Sequence, residues 1–183
     1  MKVIITITES ALPIARTIQR EWLDAEVVRM SDKTFLTEHW KELECVVFVG
    51  AMGICVRTIA PLLNDKYTDP AVICVDSTGK YVIPVVSGHI GGANDYSKRI
   101  AAILGGEAII TTQSDNLGLW AIDTLAQKYG WQTEVDHTRM NLFIYQFVEK
   151  KPIALLLDIR DEGTDYLERT KPNHVKVFYH LED

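Results

Sequence analysis

The sequence predicts an α/β fold: a mainly parallel sheet with helices on both faces and one β-hairpin, followed by a smaller α/β module. Three observations carry this. Runs such as "CVVFVG" and "AVICVD" are apolar throughout instead of alternating, as strands buried on both faces require. The segments between such runs place apolar residues at helical spacing, and strand–helix alternation builds parallel sheets. "STGK" between "AVICVD" and "YVIPVV" is a tight turn joining two strand candidates.

In chain order, "KVIITIT" is a β-branched strand bounded by "ES". "SALPIARTIQREW" is a helix with Leu12, Ala15, Ile18 and Trp22 on one side; Ser10 is expected to cap it, with Pro13 in its first turn. "EVVRM" reads as a short second strand. "KTFLTEHWKELE", from Lys33, reads as a helix with Phe35, Leu36, His39, Trp40 and Leu43 along one side. The strand "CVVFVG" leads to the helix "GICVRTIAPLL", then to "AVICVD" and its hairpin partner "YVIPVV", where Pro84 favours an edge or a bulge. "GGANDYSKRIAAILGG" keeps helical spacing through Ala93, Tyr96, Ile100, Ala101 and Leu104, stops at a glycine pair and leads into "EAIITT". The first domain is expected to span residues 1–116. Residues 117–183 form the second module: helix, charged connection, helix, then the strand-like "PIALLLD" and "HVKVFYH", separated by the polar, turn-like "LERTKPNH". That module reads as small or unfinished.

A chain of 183 residues, 47% of them hydrophobic, can bury a proper core. Its formal charge of −6 argues against general binding to nucleic acid or a membrane surface, both polyanions. Any anionic ligand must be held locally. Cys45, Cys55 and Cys74 are odd in number and set in apolar runs, so they are expected as buried, reduced thiols. The opening apolar run is too short and Thr-rich for a signal peptide, and none approaches the ~20 residues of a membrane span. A cytoplasmic protein is expected. His39, His137, His174 and His180 are expected at surfaces or core edges; no histidine pair has zinc-ligand spacing, and no metal site is expected. "GAMG" lacks the dinucleotide spacing and no phosphate-binding lysine loop occurs, so neither a nucleotide nor another cofactor is expected.

Two glycine-rich turns follow apolar strands and open helices: "VFVGAMGICVRTIAPL" and "VVSGHIGGANDYSKRI". They are expected to meet at one rim of the sheet, where helix amino-termini and bare backbone amides seat an anion. The alternative is that Gly50, Gly53, Gly88, Gly91 and Gly92 only make tight turns and let helices pack close. His89 is either a general base working near neutrality or a loop histidine satisfied by water. Asp95 stabilises a helix dipole or orients His89. Asn94 is a cap or a ligand hydrogen-bonder. Arg57 reaches an anion before its helix or makes a solvated salt bridge; Lys98 and Arg99 are weaker versions. Ser87 lies outside any nucleophile elbow, so no serine triad is expected. "TTQSDN" is a loop capping the next helix, or a third wall of the site.

"GAMGICVRTIAPLLNDKYTDPAVICVD" and "YVIPVVSGHIGGANDYSKRIAAILGGEAIITTQSD" together resemble the amino-terminal region of the CbiG family, the cobalt-precorrin-5A hydrolases of anaerobic cobalamin biosynthesis, most strongly over roughly residues 44–116. The resemblance implies a cytoplasmic hydrolase acting on a carbon–carbon bond. It would add water to a lactone on a cobalt-containing tetrapyrrole and expel acetaldehyde, the cobalt belonging to the substrate. For that reaction His89 is assigned as base and Asp95 as its orienting partner. Gly50, Met52, Gly53, Arg57, Ser87, Gly88, Gly91, Gly92 and Asn94 are assigned to substrate binding. The family carries a further carboxyl-terminal domain that is not recognisable here, so that domain, or neighbouring pathway enzymes, are the expected protein partners. A non-catalytic corrinoid-binding module is the alternative; a general α/β phosphate binder is a third reading, against which the missing nucleotide motifs count.

Overall fold

The computed structural model describes residues 1–30 and 34–180. The chain divides into two compact units, Met1–Thr111 and Thr112–Asp183. In the first, β1 (Lys2–Thr6) leads through a 3-10 turn (Glu9–Ala11) into α1 (Leu12–Glu21), β2 (Ala25–Arg29) and α2 (Thr34–His39), which a second 3-10 turn, Trp40–Glu42, extends. Then come β3 (Cys45–Val49), α3 (Met52–Ile59), β4 (Ala71–Val75), β5 (Tyr81–Val86), α4 (Ala93–Leu104) and the two-residue β6 (Glu107–Ala108). Lys33, expected to begin the helix before β3, lies outside the described residues.

The six strands form one sheet in the order β2-β1-β3-β4-β5-β6, parallel except where β5 runs against β4. The expected mainly parallel sheet with one hairpin is therefore found. Every residue of β3 and β4 is buried, because alternate side chains serve opposite layers. Ile4, Val47, Val49, Ile73 and Val75 pack with Ala15 and Ile18 of α1 and Ile100 of α4. Val3, Ile5, Val46, Phe48 and Cys74 pack on the other face with Leu36, Trp40, Cys55 and Ile59. The three cysteines are buried free thiols, and burial pushes Cys45 up, which keeps it protonated.

The hairpin turn is clamped by Asp76: one carboxylate oxygen accepts from the Thr78 amide at 2.8 Å and the other from the Tyr81 amide at 2.6 Å. Pro84 sits opposite Ile73, beside the register shift between Val72 and Ile73, and beyond the short β6, which pairs only with Tyr81 and Val82. It thus occupies a bulge on an inner strand, where its missing N–H disturbs little. Ser10 does not cap α1: the chain enters through the 3-10 turn, Ala11 takes the cap position, and the Ser10 hydroxyl meets that of Thr8 at 2.9 Å.

Thr6, at the end of β1, is fully buried and its hydroxyl has no hydrogen-bond partner. Thr6→Val keeps the shape and removes an unsatisfied polar atom. It is expected to stabilise the first unit by about 1 kcal/mol, read as slower hydrogen exchange of the β1 amides; faster exchange would mean the hydroxyl has a stabilising partner.

In the second unit α5 (Gln113–Asn116), α6 (Ile122–Tyr129) and α7 (His137–Val148) precede a parallel pair, β7 (Ile153–Leu156) and β8 (Val175–Phe178), joined through α8 (Glu162–Thr170). The segment read as a polar turn is partly this crossover helix, which a parallel pair requires. A capping box starts it: the Asp161 carboxylate accepts from the Thr164 amide at 2.7 Å, and the Thr164 hydroxyl accepts from the Asp161 amide at 2.8 Å. Trp120, Phe147, Leu167 and Val175 form its core.

Candidate functional site

The first glycine turn lies at the carboxyl end of β3. With the order β2-β1-β3, the strand order reverses at β1 while the strands stay parallel, and the gap between the carboxyl ends of β1 and β3 is the place where open α/β sheets bind ligands. Gly50 donates its amide to the Val75 carbonyl at 2.8 Å and accepts the Cys74 thiol at 3.4 Å. A β-carbon at Gly50 would come within 3.3 Å of Phe48 Cε1, so the buried ring supports the turn from below. Ala51 caps α3 without a side-chain hydrogen bond, and the amides of Met52 and Gly53, in its first turn, have no partner within the helix. The exposed Arg57 folds back along α3, its Nη1 donating to the Gly53 carbonyl at 3.3 Å. The guanidinium lies beside the helix start, at an ordinary contact distance of 3.4 Å from where a β-carbon on Gly53 would stand.

The second turn, residues 87–92, opens α4 from β5. Ser87 is 9% exposed, has φ +56°, and donates its hydroxyl to the Asp69 carbonyl at 3.0 Å. Gly88 lies under the buried Asn94, whose Oδ1 would sit 2.8 Å from a β-carbon there. At Gly91 a β-carbon would meet Ser87 Cβ at 2.6 Å and the Ala71 nitrogen at 3.2 Å. Gly92 takes the left-handed cap position of α4 at φ +80°. Here glycine is needed for backbone packing. His89 is half-buried on this turn. Asp95 is 88% exposed, with its carboxylate 3.5 Å from Lys98.

Two expectations are corrected by this geometry. The turns do not meet at one rim. Val49 lies beside Val75, so the first turn is at the carboxyl end of β4, whereas Val86 lies beside Val72, so antiparallel β5 delivers the second to the other end. About 13 Å of strand separates the rims, at roughly 3.3 Å per residue. Nor are the backbone donors open throughout: besides Gly50, the amides of Gly92, Ala93 and Asn94 are given to the carbonyls of His89, Ser87 and Gly88.

The structure adds one residue that sequence reasoning missed. Asp69, in "NDKYTDP", is 9% exposed and its carboxylate accepts from the Trp40 indole at 3.2 Å and from the Asn64 amide at 3.1 and 2.9 Å. The only local signal was an acid among turn-forming residues before a proline and a strand. Only the last four residues of "TTQSDN" form α5; Thr112 stands at its cap position with its hydroxyl on the Asp115 carboxylate at 2.7 Å. Among the described residues no group of three or more His, Cys, Asp or Glu could hold a metal ion, and no helix is long and apolar enough to cross a membrane.

Fold and turns together define an α/β protein with a ligand-type rim at a topological switch point and a second glycine turn at the opposite rim. The cobalamin synthesis G N-terminal family matches residues 34–115, and the cobalamin biosynthesis central region matches residues 120–183. The chain is a CbiG-type protein and carries the amino-terminal and central regions of that family. It is 49% identical over 81 residues to a cobalt-precorrin-5A hydrolase of Salmonella typhimurium, covering 44% of this chain and 23% of that protein. It is 28% identical over 193 residues to a cobalt-precorrin-5A hydrolase of Priestia megaterium, covering 96% of this chain and 51% of that one. A solved structure described as a cobalamin biosynthesis protein G homolog from Sulfolobus solfataricus superposes with a TM-score of 0.57 at 22% identity, over 99% of this chain and 56% of its own; at that identity the match shows the fold alone. The chain spans about half or less of the length of these curated relatives.

Proposed function

We propose that this chain supplies the amino-terminal and central parts of a cobalt-precorrin-5A hydrolase working in the cytoplasm. The reaction opens a lactone on a cobalt-containing, carboxylate-rimmed corrinoid precursor, breaks a carbon–carbon bond and releases acetaldehyde. The observation that carries this reading is that both family regions fall on the chain in order, and a relative matched across 96% of it bears that enzyme's name.

Water attacks the lactone carbonyl carbon, and His89 takes the proton that water sheds. Collapse of the tetrahedral oxyanion breaks the ring C–O bond, leaving a carboxylate and a hydroxyl. Loss of the hydroxyl proton then forms the aldehyde carbonyl as the carbon–carbon bond breaks, and the electron pair passes into the macrocycle. A half-buried histidine on a turn can exchange protons with solvent between steps. Ser87, Gly88, Gly91, Gly92 and Asn94 shape the seat around it. On the opposite rim the amides of Met52 and Gly53 with the Arg57 guanidinium form a second seat, beside Gly50, for a carboxylate arm. A broad macrocycle rimmed with carboxylates can be held at more than one edge. Arg57→Ala is expected to weaken binding about tenfold with little change in turnover at saturation, read by titrating the visible absorbance of the corrinoid; unchanged affinity would remove this seat.

A second reading, a non-catalytic corrinoid-binding module, is favoured by the second glycine turn, where the amides of Gly92, Ala93 and Asn94 are already given to backbone carbonyls and so are not offered to an oxyanion. Incubating the chain with cobalt-precorrin-5A and assaying acetaldehyde, alone and with the remaining half of a longer relative added, separates the two. Product from the chain alone supports the hydrolase. Binding without product, rescued by the added half, supports the module. No binding in either mixture overturns both.

A further inference from the structure

Resting on the hydrolase reading, we propose that Asp69 is the positioning residue of the His89 turn, and that the loop it closes, residues 64–69, is the second wall of that site. Asp69 joins three pieces of chain. Its carboxylate holds the Trp40 indole on one side and the Asn64 amide on the other, while its carbonyl takes the Ser87 hydroxyl at 3.0 Å. The loop is also tied from within: Asp65 Oδ1 accepts from the amides of Tyr67 at 2.7 Å and Thr68 at 3.1 Å, and its carbonyl takes the Asp69 amide at 2.9 Å. The glycine turn presses on the start of β4, two residues past Asp69, since a β-carbon at Gly91 would come within 3.2 Å of the Ala71 nitrogen.

Ser87 points to the same arrangement. At φ +56° a glycine would hold the backbone without strain, so what serine adds is its hydroxyl, which is spent on Asp69. His89 follows two residues later on the backbone that this bond anchors. Asp95, the carboxylate closer in sequence, sits in solvent beside Lys98, where an ion pair fixes little.

The test uses Asp69→Asn and Ser87→Gly in the full chain, with Thr6→Val as a control elsewhere in the same unit. The first readout needs no substrate: the His89 ring-proton signals in NMR, assigned through His89→Gln. Both test variants are expected to shift them, and the control is not. The second is acetaldehyde release from cobalt-precorrin-5A by the chain alone; kcat is expected to fall about 10- to 100-fold and KM to stay within about threefold. Unmoved His89 signals overturn the proposal, as does a raised KM with intact kcat, which would make the loop a binding element only. Ser87→Gly relieves backbone strain while deleting the hydroxyl, so it decides the matter even if Asp69→Asn fails to fold. Absence of acetaldehyde from the unsubstituted protein would sink the hydrolase reading while the NMR arm still decides whether Asp69 places His89.

Discussion

Replacing His89 by alanine is expected to lower acetaldehyde release by about 10²- to 10⁴-fold, the usual contribution of a positioned general base, with substrate affinity changed only a few-fold. The expectation follows from where the turn puts the ring. Ser87 is locked to Asp69, Gly92 closes the turn on the His89 carbonyl, and Gly91 is pressed against strand β4, so the imidazole is carried on a backbone with little freedom. Removing the ring leaves those backbone contacts intact, so loss of rate would report chemistry and not unfolding. Steady-state kinetics with circular dichroism on the same samples checks both halves; a rate near that of the unsubstituted protein would return His89 to an ordinary loop residue.

Strands β3 and β4 were legible because their apolar runs are uninterrupted, and the hairpin because "STGK" lies between two such runs. That hairpin already contained the answer to where the glycine turns lie. A strand that returns after "STGK" ends at the rim where its partner began, so the two turns had to face opposite ways. Each turn read by itself shows strand, glycine and helix; direction belongs to the topology, and the local pattern carries none of it. Helix α8 was obscured because its apolar side holds little beyond Tyr166 and Leu167, although Asp161 and Thr164 stand at capping-box spacing. Asp69 could not be read locally, since its partners Trp40 and Ser87 lie 29 and 18 positions away. Ser10 misled because a serine before a helix has the chemistry of a cap whether or not the chain enters through a 3-10 turn.

The largest loss of stability is expected from Phe48→Ala. The ring is fully buried on β3, among Ile5, Leu36, Trp40, Cys55 and Cys74, and truncations of this kind cost about 3–5 kcal/mol. That is a large share of the roughly 5–15 kcal/mol that holds a typical domain folded. Because the chain has two units, the readout is hydrogen exchange of the β1, β3 and β4 amides and not a single unfolding midpoint. Phe48→Leu keeps most of the volume and is expected to cost less than about 2 kcal/mol. The ring also underlies Gly50, so its removal withdraws support from the turn before Met52, Gly53 and Arg57. Binding at that seat should therefore weaken in Phe48→Ala under conditions where exchange shows the sheet still formed, and recover in Phe48→Leu. Intact affinity in a folded Phe48→Ala protein would show that the turn holds its shape through the Gly50 bonds to Val75 and Cys74 alone.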